Sequence, residues 1–150
     1  MSSWVEVLSG VSQGSVLGPI LFILYINDMS DSIVSFIYMY ADDAKLFTSS
    51  GDRAVLQRDL DILGEWSRTW QLRLIVDKCK VMQVGRPVEH EPYVMQDVQG
   101  ISYPLQSVEV EKDLGVWTDN KLKFSNHVEH TASKANQILG FTYLDISIVY

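Results

Sequence analysis

Apolar residues recur along this chain with two different periods, and the places where the period changes mark its elements. Residues 4–8 alternate enough to predict a strand, and residues 10–18 form a glycine-punctuated loop. Gly18 and Pro19 then suit a helix start, because a proline in the first turn has no helical hydrogen bond to lose. From Pro19 to about Met29 the sequence is apolar almost all round, which predicts a helix buried against a sheet. Beta-favouring residues Phe36 to Tyr40 and 44–48 flank a short corner, Ala41 to Asp43, and read as a hairpin with acids at its tip. A second helix follows, opened by Gly51 and Asp52, with Asp52 as its cap and Leu56, Leu60, Leu63 and Trp70 on one face. That stripe is expected to be core.

Downstream, residues 72–84 predict a strand carrying Lys78 and Lys80, and residues 86–106, rich in proline and turn residues, predict short strands and loops. Residues 108–117 read as a hairpin bent at Gly115. Asn126 with Glu129 three residues later has the form of a capping box, opening a helix with Val128, Ala132, Ala135 and Leu139 on one face and Gly140 as its end. The fold class expected is α+β.

At 150 residues the chain is in single-domain range. The longest apolar stretch, residues 16–26, falls short of the roughly 20 residues that span a bilayer, and the start lacks a signal-type pattern. An intracellular protein without a membrane segment is expected. A lone cysteine, Cys79, excludes an intrachain disulfide and a cysteine-rich zinc site, and fits a small core residue on a strand. Nineteen acidic residues against twelve basic ones give an acidic chain, whereas proteins that grip phosphate backbones unaided carry a basic face. Weak nucleic-acid binding by this chain alone is therefore expected. No internal repeat or low-complexity segment is present.

The adjacent carboxylates of Asp42 and Asp43 carry the most specific chemistry. Two like charges side by side are costly, and a divalent cation taking oxygen ligands offsets them. In a regular strand neighbouring side chains point to opposite faces, so only a corner lets both approach one site. A solvated Asp-Asp turn is the ordinary alternative, and the dipeptide alone leaves both open. His127 and His130 are three apart on the last predicted helix, but with no third partner visible they read as surface residues.

Several motifs in one order decide between those readings. Residues 10–19, then Ile20, Leu21 and Phe22, then Tyr25, Ile26, Asn27 and Asp28, resemble the template- and nucleotide-binding motif of reverse transcriptases from non-LTR, LINE-type retrotransposons. Tyr40, Ala41, Asp42 and Asp43 resemble their catalytic metal motif. Leu56, Gln57, Asp59, Leu60, Leu63, Trp66 and Trp70 continue the series, followed by Lys78 to Met82, Lys112 to Val116, and Leu122 to Gly140. The resemblance covers nearly the whole chain.

It implies a partial polymerase palm, an antiparallel sheet with two packed helices, over residues 1–118, and the start of a thumb over residues 119–150. Asp42 and Asp43 would be metal ligands for Mg2+ or Mn2+, Tyr40 a residue under the primer terminus, and Ala41 a small residue admitting the growing strand. Gln13, Gly14 and Ser15 would line template and nucleotide, and Leu114 and Gly115 would lie in the primer-grip hairpin. Lys78 would assist the departing pyrophosphate; a solvated lysine on a strand edge is the other reading. The partners implied are an RNA template, a DNA primer and a dNTP.

The chain departs from the pattern in Ser12, Ala44, Leu74 and Ile75, and in lacking an upstream aspartate strand before the glycine loop, where Glu6 is the sole acid. Asp28 and Asp31, past the end of the buried helix, are poor substitutes. Nucleotidyl transfer needs two metal ions held from neighbouring strands. A C-terminal piece of a reverse transcriptase, without polymerase activity by itself, is thus expected. The competing class is a relic of such an element or a recruited nucleic-acid or protein interaction module.

Overall fold

The computed structural model describes residues 14–48, 52–86 and 88–144. The strand expected at residues 4–8, the first part of the glycine loop, Gln13, Gly51 and residues 145–150 lie outside them. Two compact units form: one runs through Leu74 and includes Val98–Gly100, and the other comprises Ile75–Asp97 and continues from Ile101. The α+β class holds, with three helices and short strands among the described residues.

In the first unit, α1 (Leu17–Ile26) is followed by β1 (Phe36–Tyr40), β2 (Asp43–Phe47) and α2 (Arg53–Trp70). Helix α1 begins two residues before Pro19, which still lies in the first turn, and the Ser15 hydroxyl accepts the Gly18 N–H at 3.0 Å. The expectation that this helix is buried does not hold. Ile20, Leu21, Ile23 and Leu24 are 53%, 48%, 61% and 67% exposed, and only Ile26 is buried within it. An all-round apolar helix needs cover on several sides, and among the described residues α1 is covered on one side only.

That side meets α2. Tyr25 packs edge-on against Trp66 and Trp70, with ring centroids 6.2 and 6.0 Å away, and its hydroxyl donates to the Trp70 carbonyl. Trp66 Nε1 donates to Asp28 Oδ1 at 2.9 Å, so Asp28 serves the helix junction. Helix α2 forms as the sequence predicts, but its stripe is core only in part, with Leu56 half-buried and Trp70 44% exposed. Asp52 accepts from the Ala54 N–H at 3.1 Å, and Leu60 and Leu63 are buried with Ile26 and Met29 of the preceding segment. It ends at Gln71, whose left-handed backbone lets its N–H reach the Ser67 carbonyl.

The second unit holds a core of Tyr93, Met95 and Leu105. The strand expected over residues 72–84 is mostly irregular: Val76–Lys78 winds into a single 3-10 turn, and only β3 (Lys80–Val81) is extended. The Lys78 N–H to Ile75 and Cys79 N–H to Val76 bonds close that turn, and β3 pairs in parallel with β6 (Gln106–Ser107) over two residues. Cys79 thus follows a turn instead of lying within a strand. Between these lie β4 (Val94–Gln96) and β5 (Ser102–Pro104), short strands as the turn-rich composition suggests, which pair antiparallel. Among the described residues the strands make separate two-stranded ribbons, one of them parallel, in place of one antiparallel sheet.

Strands β7 (Val110–Asp113) and β8 (Val116–Asp119) form the predicted hairpin, joined by Leu114 and Gly115, which both take positive φ, 45° and 90°. Positive φ at both centres is the turn that matches strand twist, and glycine takes it without a side-chain penalty. Helix α3 (Ser125–Leu144) follows. The capping box fails: Asn126 lies inside the helix, and its amide reaches Asp119 Oδ2 at 3.5 Å. Asp119, nearly buried, organises the entry to α3 by accepting the Lys121 and Lys123 N–H groups on Oδ1 at 2.9 Å each. Gly140 does not end the helix, which continues to Leu144.

Candidate metal-binding hairpin

Ribbon β1–β2 is fully paired from Phe36 with Phe47 to Tyr40 with Asp43. The whole reversal is therefore made by Ala41 and Asp42. Ala41 takes φ 53°, a left-handed backbone that costs a non-glycine residue about 1 kcal/mol. This tight corner places Asp42 in the turn and Asp43 at the first strand position, consecutive carboxylates at one end of a ribbon, both exposed. The predicted corner is thus tighter by one residue, because Asp43 already pairs with Tyr40.

Tyr40 is 68% exposed at the same end. Farther down the ribbon, Tyr38 and Phe47 pack edge to face, with centroids 5.6 Å apart, and with Phe36 they line a shallow apolar hollow. The half-buried positions Ile37, Lys45 and Leu46 lie between these exposed ones.

Carboxylate oxygens are the donors that hard divalent cations take, and both carboxylates are open to solvent. Among the described residues no group of three or more His, Cys, Asp or Glu is placed to hold a metal. An ion held there would take its remaining ligands from water, phosphate oxygens or other residues.

The root of the ribbon is held by a residue to which the sequence alone assigns no role. Asp59, on α2, is fully buried, and its two oxygens accept the backbone N–H groups of Val34, at 3.2 Å, and Ser35, at 2.7 Å, immediately before β1. Burial pushes this carboxyl upward, but the Ser35 hydroxyl, the Ser35 and Val34 N–H groups and the Arg58 charge outweigh it and hold the group below its ordinary value. The Ser35 hydroxyl is itself buried without a hydrogen bond of ordinary geometry, so the backbone N–H groups of Val34 and Ser35 are the firmer donors. An acid on the apolar side of a helical stripe was the available signal.

The remaining expected site residues are divided between the units. Gly14, with φ 84°, and Ser15 precede α1 in the first unit, and the Ser15 hydroxyl is occupied in capping that helix. Lys78 is exposed on the 3-10 turn, and Leu114 and Gly115 form the β7–β8 turn, all in the second unit. Lys80 pairs with Glu111 at 2.7 Å.

His127 and His130 share one partner. The Trp117 N–H donates to His127 Nδ1 at 3.4 Å, and His130 stacks on the Trp117 ring at 4.6 Å and 18°. His130 lies on the surface, as expected, and His127 is half-buried, and through Trp117 the two join α3 to β8.

Residues 3–143 of the chain match the family model described as reverse transcriptase (RNA-dependent DNA polymerase). Among curated proteins it is 31% identical over 139 residues to the RNA-directed DNA polymerase from mobile element jockey of Drosophila melanogaster, covering 85% of this chain and 15% of that protein. It is also 33% identical over 136 residues to the probable RNA-directed DNA polymerase from transposon X-element of the same fly, covering 82% of this chain and 14% of that protein. The chain thus spans about a seventh of the length of these relatives. No solved structure matches it significantly. With a family match across almost its whole length and relatives among mobile-element polymerases, as the ordered motifs imply, the chain belongs to the reverse transcriptase family, in its LINE-type retrotransposon branch.

Proposed function

We propose that this chain is the second half of a polymerase palm, residues 1–118, followed by the start of a thumb, residues 119–150, and that it serves RNA-templated DNA synthesis within a longer protein. One observation carries the reading: consecutive exposed carboxylates, Asp42 and Asp43, stand at the end of a fully paired ribbon inside a chain of this family.

Asp42 and Asp43 would hold Mg2+ or Mn2+. A cation bound there supplies positive charge beside the reacting phosphate and the attacking 3′ hydroxyl. The chain's own residues orient the nucleic acid. The exposed Tyr40 ring offers a flat apolar support for a primer terminus, and Ala41 keeps the turn small enough for a strand to approach. Gln13, Gly14 and Ser15 would line template and nucleotide, with Gly14 permitting close backbone approach. The turn of Leu114 and Gly115 would steady the primer strand, and Lys78 would donate a proton to the departing pyrophosphate.

RNA template, DNA primer and dNTP are the partners of this reading. Two carboxylates are too few to hold two ions in register, so the isolated chain is expected to bind metal weakly and to extend no primer.

The test is a Mn2+ titration of the chain with and without an RNA–DNA hybrid bearing a recessed 3′ end. If the hybrid's oxygens complete the coordination of one ion, each ligand strengthens the other by the same factor. A hybrid-dependent rise in Mn2+ affinity, lost in Asp42→Asn/Asp43→Asn, is expected. Mn2+ affinity indifferent to both the hybrid and the double substitution would overturn the reading.

A second reading, a non-enzymatic interaction module, is favoured by the exposed apolar side chains of α1, Ile20, Leu21, Ile23 and Leu24. It predicts no metal dependence of hybrid binding in that titration.

A further inference from the structure

We infer that Asp59 is a positioning residue for the metal-binding hairpin: it fixes the ribbon's root to α2 and thereby sets where Asp42 and Asp43 stand. The inference rests on the reading that those two residues bind a divalent ion.

The geometry is that of a lever. Asp59 is the chain's only fully buried large side chain among the described residues, and it uses both oxygens on two consecutive backbone N–H groups, those of Val34 and Ser35. The next residue, Phe36, is the first of β1. Past that point the ribbon has little further support on its outer positions: Phe36, Tyr38, Tyr40 and Phe47 are 66%, 66%, 68% and 50% exposed. The tip lies roughly 20 Å from the anchor at about 3.4 Å per strand residue. A rocking of about 10° at the root would carry the carboxylates about 3 Å, whereas a working site tolerates roughly 0.5 Å.

A buried carboxylate is well suited to resist that rocking. Two bonds to successive N–H groups fix the direction of the chain as well as its position. The carboxylate is also held ionised despite its burial, because donors face it and Arg58 adds favourable charge. A hydrophobic residue at position 59 would fill space on α2 but would leave the Val34 and Ser35 N–H groups without an acceptor and free the ribbon to pivot. Filling the core and aiming the hairpin are therefore separable properties, and this residue performs the second.

The test compares the intact chain with Asp59→Asn, which keeps the side-chain shape but offers one acceptor and turns an N–H2 group toward a backbone donor. Residual dipolar couplings of the β1–β2 amides relative to those of α2 report the ribbon's direction, and Mn2+ relaxation reports affinity. We expect the couplings within the ribbon to rotate as a block while α2 keeps its own, and Mn2+ affinity to fall about tenfold, the scale of losing support behind a metal ligand. Unchanged couplings in a folded variant overturn the inference. Rotated couplings in a chain whose wild type binds no Mn2+ leave the anchor standing and overturn the metal reading instead.

Should the variant not fold, amide exchange in the wild type decides. Protection of the Val34 and Ser35 amides equal to that of the α2 interior supports the anchor. Exchange as fast as that of the exposed tip amides refutes it.

Discussion

Replacing Asp119 by alanine isolates the joint between the β7–β8 hairpin and α3. The carboxylate is 9% exposed and accepts two backbone N–H groups, from Lys121 and Lys123, at 2.9 Å each, with Asn126 more distant on the other oxygen. A hydrogen bond to a charged acceptor contributes about 1.5–3 kcal/mol when its loss leaves the donor dry. Lys121 and Lys123 are themselves exposed, so water takes over part of the role, and the loss of a helix-entry acceptor, about 0.5–2 kcal/mol, is the better scale. Together these give about 2 kcal/mol for Asp119→Ala and about half that for Asp119→Asn, which keeps one acceptor. Urea unfolding followed by far-ultraviolet circular dichroism reads the difference directly. With a slope of about 1–1.5 kcal/mol per molar urea, the midpoint of the alanine variant should fall by about 1.5 M. A midpoint within about 0.3 M of the wild type would refute the view that this residue, and not an Asn126–Glu129 box, starts the helix.

Backbone strain and ionisation give three further expectations. Leu114→Asn, at φ 45°, and Gln71→Gly, at φ 57°, should each stabilise the fold by about 0.5–1 kcal/mol and so raise the urea midpoint, because the new residues tolerate the left-handed region better; a fall in either would contradict the turn geometry. Asp59 has a folded-state pKa below its unfolded value of 3.8, so its contribution to stability is complete above that pH and is lost as pH falls through the depressed folded value. The acid limb of a stability–pH curve should therefore be shallower in Asp59→Asn than in the wild type, and identical limbs would count against the buried anchor. Burial pushes the Cys79 thiol up, so its alkylation at neutral pH should be slower than that of a free cysteine; a faster rate would mean that the segment after the 3-10 turn is open.

Local signals were legible where one residue and its near neighbours decide the outcome. The β1–β2 ribbon follows from beta-favouring runs around an acidic corner, α2 from the Asp52 cap and the Leu60 and Leu63 stripe, and the β7–β8 turn from Gly115. Elements whose form depends on a distant partner were not. Helix α1 is apolar on all sides, which predicts burial, yet among the described residues only the Tyr25, Trp66 and Trp70 side is engaged. Residues 72–84 favour an extended chain, but β3 finds a partner for only two residues, and local bonds wind Val76–Lys78 into a turn. At the site, the acid pair stands out in the sequence because like charges are adjacent, whereas Asp59 shows only as an acid on the apolar side of α2, with nothing to say what it holds. Its role appears only when the chain brings the N–H groups of Val34 and Ser35, about two dozen residues away, against it. The pairing of His127 and His130 on Trp117 is hidden for the same reason: their spacing puts them on one face, but the shared ring belongs to another element.

The seating of a divalent ion by the acid pair is tested most directly by paramagnetic broadening of the amide resonances of the labelled chain at substoichiometric Mn2+. Broadening strongest at Asp42 and Asp43, falling away along β1 and β2 and absent from Asp42→Asn/Asp43→Asn, is predicted. Broadening centred on Asp28 and Asp31, or spread evenly over the acidic residues of the chain, would contradict it.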